Sequence, residues 1–343
     1  MKKYIILIAI LFCVSCQEKE AVNYTDVIIT DVFKDSISIR AIEVMDGKLA
    51  FAGSKNMYGM YDPDIGKVKT SRMEYDSLNL QFRAVASTKH DFFMLSIGNP
   101  ALLFKTGATG KMELVYREDH ENVFYDSMKF WNDQEGIAMG DPTDDCLSVI
   151  ITRDGGKTWK KLSCDVLPKT TAGEAAFAAS NTNIAVVGHH AWLVSGGEKS
   201  RVFHTPDKGQ IWEVFDVPII QGINTQGIYS VDFYDEQHGF AIGGDYTKPE
   251  GTVANKAVTS DGGKTWQLVS DGKEPGYKSC VQYVPNSDGK ALVAIGFTGI
   301  SFSNDAGTSW RTLSEEGFYT LRFVNDTIAY AAGNNRIAKL VFR

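Results

Sequence analysis

One eight-residue pattern occurs three times in this chain of 343 residues. It reads TRDGGKTW at residues 152–159, TSDGGKTW at 259–266 and, less closely, SNDAGTSW at 303–310. The glycines can adopt positive φ and the Asp carboxylate can accept nearby backbone N–H groups, so each copy is expected to form a turn. β-Branched and aromatic residues flank it, which predicts a hairpin with the pattern at its tip.

A longer repeat contains this turn. Seven units, each an apolar strand followed by a strand of small residues, end in a glycine: Gly53, Gly98, Gly140, Gly188, Gly243, Gly296 and Gly333. The intervals between these glycines are 45, 42, 48, 55, 53 and 37 residues, the length expected for one four-stranded propeller blade. The sequence therefore predicts an all-β fold, a single seven-bladed β-propeller over residues 24–343.

The Asp-containing turn is expected to join the third strand of a blade to the fourth. Weaker versions of it occur as TPDKGQIW at 205–212, KTGATG at 105–110 and YDPDIG at 61–66. The last unit has too few residues for a fourth strand, whereas residues 25–33 form a spare strand at the start of the chain. If this N-terminal strand completes the last blade, the ring closes and no sheet edge stays open.

The first residues predict export. Two lysines precede an apolar run that is too short to span a bilayer, and Cys16 follows that run. The arrangement resembles a bacterial lipoprotein signal, in which residues 1–15 are removed, Cys16 is lipidated and residues 16–23 form a tether. A plain signal peptide or a short anchor are the alternatives. We therefore expect an extracytoplasmic protein, anchored to a membrane at the periplasmic face or the cell surface.

The charge balance and the missing motifs exclude several functions. Without residues 1–15 the chain has 33 basic and 42 acidic residues, a net charge of −9, which disfavours nucleic acids as partners. No pattern of Cys and His typical of a metal site is present, and no nucleotide, flavin or haem motif occurs. We expect no cofactor and a monomer whose only membrane contact is the lipid anchor.

Two cysteines flank the turn at 152–159 at nearly equal distances. Cys146 precedes this hairpin and Cys164 follows it. A disulfide between them is geometrically plausible in an oxidising compartment. Two separate buried thiols are the alternative.

The form S/T-x-D-x-G-x-T-W resembles the Asp-box, or BNR, repeat. A single ring of such blades behind an export signal is similar to the photosystem II assembly-factor-like and sialidase-like propellers, whose bacterial relatives often carry the label "oxidoreductase". The resemblance implies that the Asp braces each turn and that the Trp packs between blades, away from the ligand face. These structural residues are Asp154, Trp159, Asp207, Trp212, Asp261, Trp266, Asp305 and Trp310.

A binding site is expected where the blades differ, at the channel mouth on the face opposite the Asp-boxes. The predicted starts of the innermost strands carry Arg40, Arg83, Asp126, Glu174, Tyr229, Lys278 and Tyr319. The loops after the second strands add Asp141, His189, His190, Asp245 and Arg336. Cations, carboxylates and aromatic rings at a concave mouth suit a polar ligand, although opposite charges there could simply pair with each other in solvent.

We therefore predict a binding or assembly scaffold for a protein partner or for a polar or anionic glycan. The alternative is a sialidase-like glycoside hydrolase, in which Asp126, Glu174, Tyr229 and Tyr319 would be the catalytic set. An oxidoreductase is a weaker alternative, since it rests on the label of relatives alone.

Overall fold

The computed structural model describes residues 22–343. The predicted signal peptide, the predicted lipidation site Cys16 and most of the predicted tether lie outside the described residues. The described part is all-β and has seven sheets. Each sheet is one propeller blade, as predicted. Within residues 22–343, no helix is long and apolar enough to cross a membrane.

The blades follow one another along the chain after strand β1 (Val27–Ser38). Blade 1 consists of β2 (Ala41–Met45), β3 (Lys48–Ala52), β4 (Met57–Asp62) and β5 (Lys67–Arg72). Blade 2 consists of β6 (Phe82–Ser87), β7 (Phe92–Ser96), β8 (Ala101–Thr106) and β9 (Met112–Glu118). Blade 3 consists of β10 (Tyr125–Phe130), β11 (Gly136–Gly140), β12 (Ser148–Thr152) and β13 (Lys160–Lys161).

Two short additional strands interrupt this order in the second half of the ring. The next strands are β14 (Glu174–Ala175), β15 (Ile184–Val187), β16 (His190–Val194), β17 (Gly196–Gly197), β18 (Arg201–Thr205) and β19 (Glu213–Asp216). Blade 4 is β15, β16, β18 and β19. Blade 5 consists of β20 (Gln226–Phe233), β21 (Gly239–Asp245), β22 (Lys256–Thr259) and β23 (Gln267–Leu268), and β14 and β17 extend its sheet.

The last two blades complete the ring. Blade 6 consists of β24 (Cys280–Tyr283), β25 (Leu292–Gly296), β26 (Gly299–Ser303) and β27 (Arg311–Ser314). Blade 7 consists of β28 (Thr320–Phe323), β29 (Ile328–Ala332), β30 (Asn334–Phe342) and β1. Strand β1 pairs antiparallel with β30, from Val27 opposite Phe342 to Ser38 opposite Asn334. The prediction that the N-terminal strand closes the ring is confirmed.

The blades present two different faces. In blade 3 the Asp-box turn after β12 lies beside the hairpin between β10 and β11, where Gly155 N donates to Gln134 O at 2.9 Å. We call this side the Asp-box face. The innermost strands begin at the opposite side, which we call the mouth face. Because β1 starts opposite Phe342, the N-terminal end of the described chain lies on the Asp-box face.

The hydrophobic core lies between neighbouring blades, and the Asp-box tryptophans are part of it. The ring centroid of Trp159 lies 6.4 Å from that of Phe93 in blade 2 and 5.7 Å from that of Phe130 in its own blade. Trp266 joins a cluster that includes Trp192 of blade 4. Trp212 and Trp310 belong to clusters shared with blades 3 and 5. Each of these four indoles therefore packs against the preceding blade.

The Asp of each box holds its turn through hydrogen bonds. Asp154 Oδ1 accepts from Thr152 Oγ1 at 2.9 Å and from Thr158 N at 3.0 Å, and Oδ2 accepts from Thr158 Oγ1 at 2.7 Å. Turn residues hold the equivalent carboxylates of Asp207, Asp261 and Asp305 in the same way. These carboxylates therefore accept their hydrogen bonds from residues of their own turns.

The strand prediction for blade 4 was wrong by one strand. The fourth unit was predicted to end its second strand at Gly188, but residues 184–187 are the innermost strand and His190–Val194 is the second. The glycine after the second strand is Gly196 and not Gly188. The cause is an insertion: residues 162–183 connect blade 3 to blade 4, and part of it lies in the central channel. Cys146 and Cys164 form a disulfide at the start of this insertion.

Candidate functional site

Residues 176–182 lie inside the central channel, and we call them the channel segment. The side chain of Asn181 donates to Val85 O in blade 2 at 2.8 Å. The hydroxyl of Ser180 donates to Ser279 O beside blade 6 at 2.6 Å. The segment therefore crosses the channel and closes it below the mouth.

Above the channel segment, a pocket of about 600 Å³ opens at the mouth face, and we call it the mouth pocket. Guanidinium groups, aromatic rings and the backbone of the channel segment line it. The lining residues are Arg40, Arg83, Phe124, Asp141, residues 175–179, Asn224, Tyr229, Tyr246, Tyr277, Ser279, Phe297 and Tyr319. Of the residues predicted from the sequence, five lie in this pocket: Arg40, Arg83, Asp141, Tyr229 and Tyr319.

β-Bulges turn two of these residues, Arg83 and Tyr229, towards the mouth. The pairing of the first two strands shifts by one residue at Arg83 in blade 2, at Asp126 in blade 3 and at Tyr229 in blade 5. A bulged residue is left out of the ladder and its strand bends, which turns its side chain away from the alternating pattern. The starts of the innermost strands therefore point different chemical groups towards one mouth.

Two arginines contact the floor of the mouth pocket. Arg40 Nη1 donates to Ala179 O and Arg83 Nη1 donates to Ala178 O, each at 3.3 Å. The guanidinium carbon of Arg40 also lies 4.0 Å from the ring centroid of Tyr319. Burial lowers the pKa of Arg83, and the neighbouring positive charge of Arg40 adds to this effect. Two partly desolvated cations therefore lie side by side.

Aromatic rings form one wall of the mouth pocket. The rings of Phe177 and Tyr229 stack with centroids 3.9 Å apart, and Tyr277 meets Tyr229 edge-on at 4.8 Å. Phe297 lies 5.3 Å from Tyr277. The Tyr229 hydroxyl donates to Thr225 O at 2.9 Å. Because Phe177 belongs to the channel segment, that segment fixes the position of the wall.

Two carboxyl groups lie beside the arginines. Asp126 is fully buried, and neither of its carboxyl oxygens has a hydrogen-bond partner among the described residues. Burial raises the pKa of Asp126 well above its usual range, and nearby Asp141 raises it further, while Arg83 opposes the rise. Burial also raises the pKa of Asp141 to about 6, although Ala176 N donates to it at 2.8 Å. Burial therefore favours the protonated form of Asp126.

Glu174 is not at the start of an innermost strand, which corrects the prediction. It lies in β14, and its fully buried carboxylate accepts hydrogen bonds from Arg201 Nε at 2.9 Å and from Ser195 Oγ at 2.6 Å. The four residues of the predicted hydrolase are therefore not gathered at one accessible place. Asp126 is buried, Glu174 is paired with Arg201, and only Tyr229 and Tyr319 line the mouth pocket.

Lys278 was predicted at the mouth, but its side chain is buried and does not line the mouth pocket. Its ammonium group donates to Thr298 Oγ1 at 2.9 Å and to Gly299 O at 3.1 Å, and burial lowers its pKa to about 8. Ser279 occupies the expected position instead and lines the mouth pocket. The sequence prediction was one residue out of register.

His189 and His190 lie on the Asp-box face, not at the mouth, because the hairpin between β15 and β16 turns there. His189 O accepts from Lys208 N in an Asp-box turn at 3.0 Å. The His190 and His204 rings stack on Trp192, which is fully buried. The wrong strand register in blade 4 caused this error.

Asp245 is the last residue of the second strand of blade 5 and Arg336 follows the second strand of blade 7, but neither lines the mouth pocket. The carboxylate of Asp245 accepts from Thr247 N at 3.0 Å and from Thr247 Oγ1 at 2.6 Å. Arg336 Nη1 lies 2.7 Å from Glu316 Oε2 and 3.6 Å from Asp31 Oδ1. Both side chains are used in local contacts at the rim.

A group of ionisable residues that was not predicted from the sequence lies deeper in the channel. Lys129 Nζ lies 3.0 Å from Glu43 Oε2, and Arg322 Nε lies 3.4 Å from the same oxygen. Asp232 accepts from Tyr283 N at 2.7 Å, and burial raises its pKa to about 6. These four residues follow Asp126, Arg40, Tyr319 and Tyr229 by three positions, a spacing that could have identified them. Two of these four groups are basic and two are acidic, so their formal charges cancel.

A resident metal ion has no obvious ligands in the described part of the chain. Within residues 22–343, no group of three or more His, Cys, Asp and Glu side chains is placed to hold one.

Comparison with known proteins shows one repeat match and several solved structures of similar fold. The BNR/Asp-box repeat family matches residues 150–161, and no curated protein matches the chain. The solved structure "YCF48 bound to D1 peptide" is similar over 94% of this chain and 97% of that chain, with a TM-score of 0.66 and 12% identity. YCF48 from Cyanidioschyzon merolae is similar over 92% and 98%, with a TM-score of 0.64 and 12% identity.

A β-propeller built from WD40 repeats is also similar to this chain. The WD40 repeats of RRP9 match over 92% of this chain and 97% of that chain, with a TM-score of 0.62 and 12% identity. At such low identity these likenesses concern the fold alone. Together, the seven blades, the Asp-box turns and the matched repeat show that the described chain is a seven-bladed β-propeller with Asp-box turns.

Proposed function

We propose that this protein is a binding scaffold that holds a segment of a partner protein in the mouth pocket. The observation that carries the proposal is the side-by-side placement of Arg40 and Arg83 on the floor of a pocket with an aromatic wall. Loops on a rigid scaffold are a common place for binding residues.

The arginines favour an acidic group on the partner. Each uses one Nη1 for a carbonyl of the channel segment, and Arg40 Nε is buried with no hydrogen-bond partner among the described residues. A guanidinium group can bind a carboxylate through two parallel hydrogen bonds. Because neither arginine has an ion-pair partner among residues 22–343, positive charge remains at the mouth for an acidic side chain or a carboxyl terminus.

The rim of the mouth pocket favours a protein as the partner. Tyr246 and Phe297 line the pocket and are 47% and 44% exposed, and Ile223 and Val253 on neighbouring loops are 46% and 63% exposed. Exposed apolar side chains around a polar centre are typical of protein–protein interaction sites. A propeller of similar fold, YCF48, has been solved with a bound peptide, which supports this choice at the level of the fold.

A carboxylated glycan is the second candidate ligand. The exposed rings of Tyr246 and Phe297 beside two arginines would offer an apolar face and a cationic group to an acidic sugar. Glycan binding would need neither a flat interface nor the more distant apolar residues of the rim.

We also propose that Cys16 carries a lipid that holds the propeller at a membrane. The described chain begins on the Asp-box face, and the segment from Cys16 to Val22 can reach no more than about 25 Å. The mouth face would then point away from the membrane, towards a partner. Labelling with a radioactive fatty acid tests the anchor: a Cys16→Ser variant that is still labelled would contradict it.

Site-specific photo-crosslinking tests the scaffold function. A photoreactive phenylalanine analogue at Tyr246 lies at the mouth, whereas the same analogue at Tyr234, which is 36% exposed on the Asp-box face, is a matched control. We expect the Tyr246 probe to capture one protein in cells of the native organism and the Tyr234 probe not to capture it. Arg83→Ala should abolish the capture and leave the unfolding temperature unchanged within about 2 °C.

The control for Arg83→Ala is Arg117→Ala, which removes an exposed arginine on the outer strand of blade 2. Arg117→Ala should leave the crosslink intact. A crosslink at Tyr246 that survives Arg83→Ala and Arg40→Ala would refute the site. If no protein is captured, but an acidic oligosaccharide raises the melting temperature and Arg83→Ala removes that rise, the glycan candidate replaces the protein partner.

A further inference from the structure

The Asp-box tryptophans fill a repeated position between blades. In blades 3 to 6 the fourth strand is preceded by an indole that packs against the preceding blade. In blade 3, Ile151 of β12 pairs with Lys160 of β13, which places Trp159 opposite Thr152 at the end of β12. In blades 3 to 6 this position is therefore filled by an indole of the chain itself.

Blade 2 lacks this indole. Its turn at residues 105–110 has no Trp, and Thr106 at the end of β8 pairs with Met112. Thr106 corresponds to Thr152 of blade 3, so Met112 stands where Trp159 would be. Methionine is narrower than tryptophan, and it leaves part of the position unfilled.

A groove of about 840 Å³ lies at this place between blades 1 and 2. Its walls include Tyr58 and Met60 of blade 1 and Met73, Phe92 and Met112 beside them. Between blades 5 and 6, whose shared cluster contains Trp310, a pocket lined by Val258, Val269 and Tyr283 measures only about 300 Å³. The larger volume therefore coincides with the missing indole. Methionine-rich walls are flexible and polarisable and suit aromatic ligands.

The rim of this groove is cationic. Lys69 and Lys111 are exposed, and their ammonium groups have no hydrogen-bond or ion-pair partner among residues 22–343. Arg72 lines the groove too, and its Nη1 donates to Lys55 O at 2.6 Å. Glu74 is the one carboxylate in the lining. Three cations against one carboxylate favour an acidic segment as the occupant.

We propose that the groove between blades 1 and 2 is a second docking site, which takes a tryptophan side chain from an acidic segment of a partner protein. The indole occupies the place that Trp159, Trp212, Trp266 and Trp310 occupy in blades 3 to 6. Lys69 and Lys111 contact the acidic residues on either side of it. This site is separate from the mouth pocket and does not depend on the function proposed for that pocket.

Fluorescence polarisation with a labelled peptide tests the proposal. The probe is the pentapeptide Glu-Asp-Trp-Asp-Glu, and the matched probe has Ala in place of Trp. We expect the Trp peptide to bind at least tenfold more tightly than the Ala peptide. Met112→Trp supplies the missing indole from within the chain and should weaken binding of the Trp peptide at least tenfold. Met112→Leu keeps the volume of Met112 and should change the affinity less than twofold.

Surface variants keep the test decisive if Met112→Trp does not fold. Lys111→Glu and Lys69→Glu alter exposed side chains and should each weaken binding about threefold to tenfold. Arg83→Ala, in the mouth pocket, should have no effect. Equal binding of the Trp and Ala peptides, no binding at millimolar peptide, or full binding by a folded Met112→Trp protein would each overturn the proposal. Loss of binding in Arg83→Ala would overturn it as well, because the peptide would then occupy the mouth pocket.

Discussion

Glu174 and Arg201 form an ion pair that is shielded from solvent beside the mouth. The side chain of Glu174 is 0% exposed and that of Arg201 is 13% exposed, and Arg201 Nε lies 2.9 Å from Glu174 Oε1. We expect Glu174→Gln to lower the free energy of unfolding by about 3–5 kcal/mol, because it leaves a buried guanidinium group without its counterion. Urea denaturation measures this loss.

The surface pair Lys169–Asp145 is the control for that measurement. Its charged atoms are 2.8 Å apart, but its side chains are 56% and 63% exposed. Asp145→Asn should therefore cost no more than about 1 kcal/mol. If Glu174→Gln costs no more than Asp145→Asn, the buried pair does not hold the insertion in place.

Trp266 tests the role of the Asp-box tryptophans in the core. Its ring is 8% exposed, lies 6.0 Å from the ring of Phe233, and its indole N–H donates to Gly263 O at 2.9 Å. Trp266→Ala should lower the free energy of unfolding by about 3–5 kcal/mol, since it opens a cavity between blades 4 and 5. Binding at the mouth should persist, because the residue lies on the other face. A loss below about 1 kcal/mol in denaturant would contradict the packing role.

The sequence predicted the fold better than it predicted the site. The seven units and the closing strand follow from a repeated hydrophobic pattern. An error of one residue in a strand boundary therefore does not change the predicted fold. The site depends on single residues, and one residue of register decided between Lys278 and Ser279. The channel segment could not be predicted, because its small and apolar residues resemble a strand. Its place is determined by contacts with distant blades, such as that of Asn181 with Val85.

Asp141 should make stability depend on pH. Burial raises its pKa to about 6 in the folded protein, above the usual carboxyl value. The folded state therefore binds more protons than the unfolded state between about pH 4 and pH 6, so this contribution is favourable at low pH and is lost as pH rises through 6. Asp141→Asn keeps an oxygen for Ala176 N and removes the titration. Its gain in unfolding free energy over wild type should be about 1–3 kcal/mol at pH 7.5 and near zero at pH 4.

The control variant for this pH effect is Asp144→Asn, an exposed carboxyl in the same loop. It should follow the wild-type curve at both pH values. An Asp141→Asn protein whose stability has the same pH dependence as wild type would show that burial does not shift the pKa of Asp141.

The disulfide should stabilise the protein by restricting the unfolded chain. Cys146 and Cys164 are 18 residues apart in sequence, and closing a loop of this size is worth about 3 kcal/mol. Replacing both cysteines with serine should lower the free energy of unfolding by that amount, and a reducing agent should then have no further effect. Unfolding curves of wild type with and without reductant provide the comparison. Identical curves would mean that the bond does not contribute.

Asn181 should be the residue on which the channel segment depends most. Its backbone has a φ of 58°, a conformation that Asn and Gly tolerate better than other residues. Its side chain donates to Val85 O and accepts from Met128 N, both inside the channel. Asn181→Ala loses both hydrogen bonds and strains the backbone, whereas Asn181→Gly loses the hydrogen bonds alone. We expect unfolding free energy to fall by about 2–4 kcal/mol in both, with Ala about 1 kcal/mol worse than Gly. If Asn181→Ala is as stable as Asn181→Gly, the positive φ at this position costs no free energy of unfolding. If neither variant differs from wild type, Asn181 does not hold the channel segment in place.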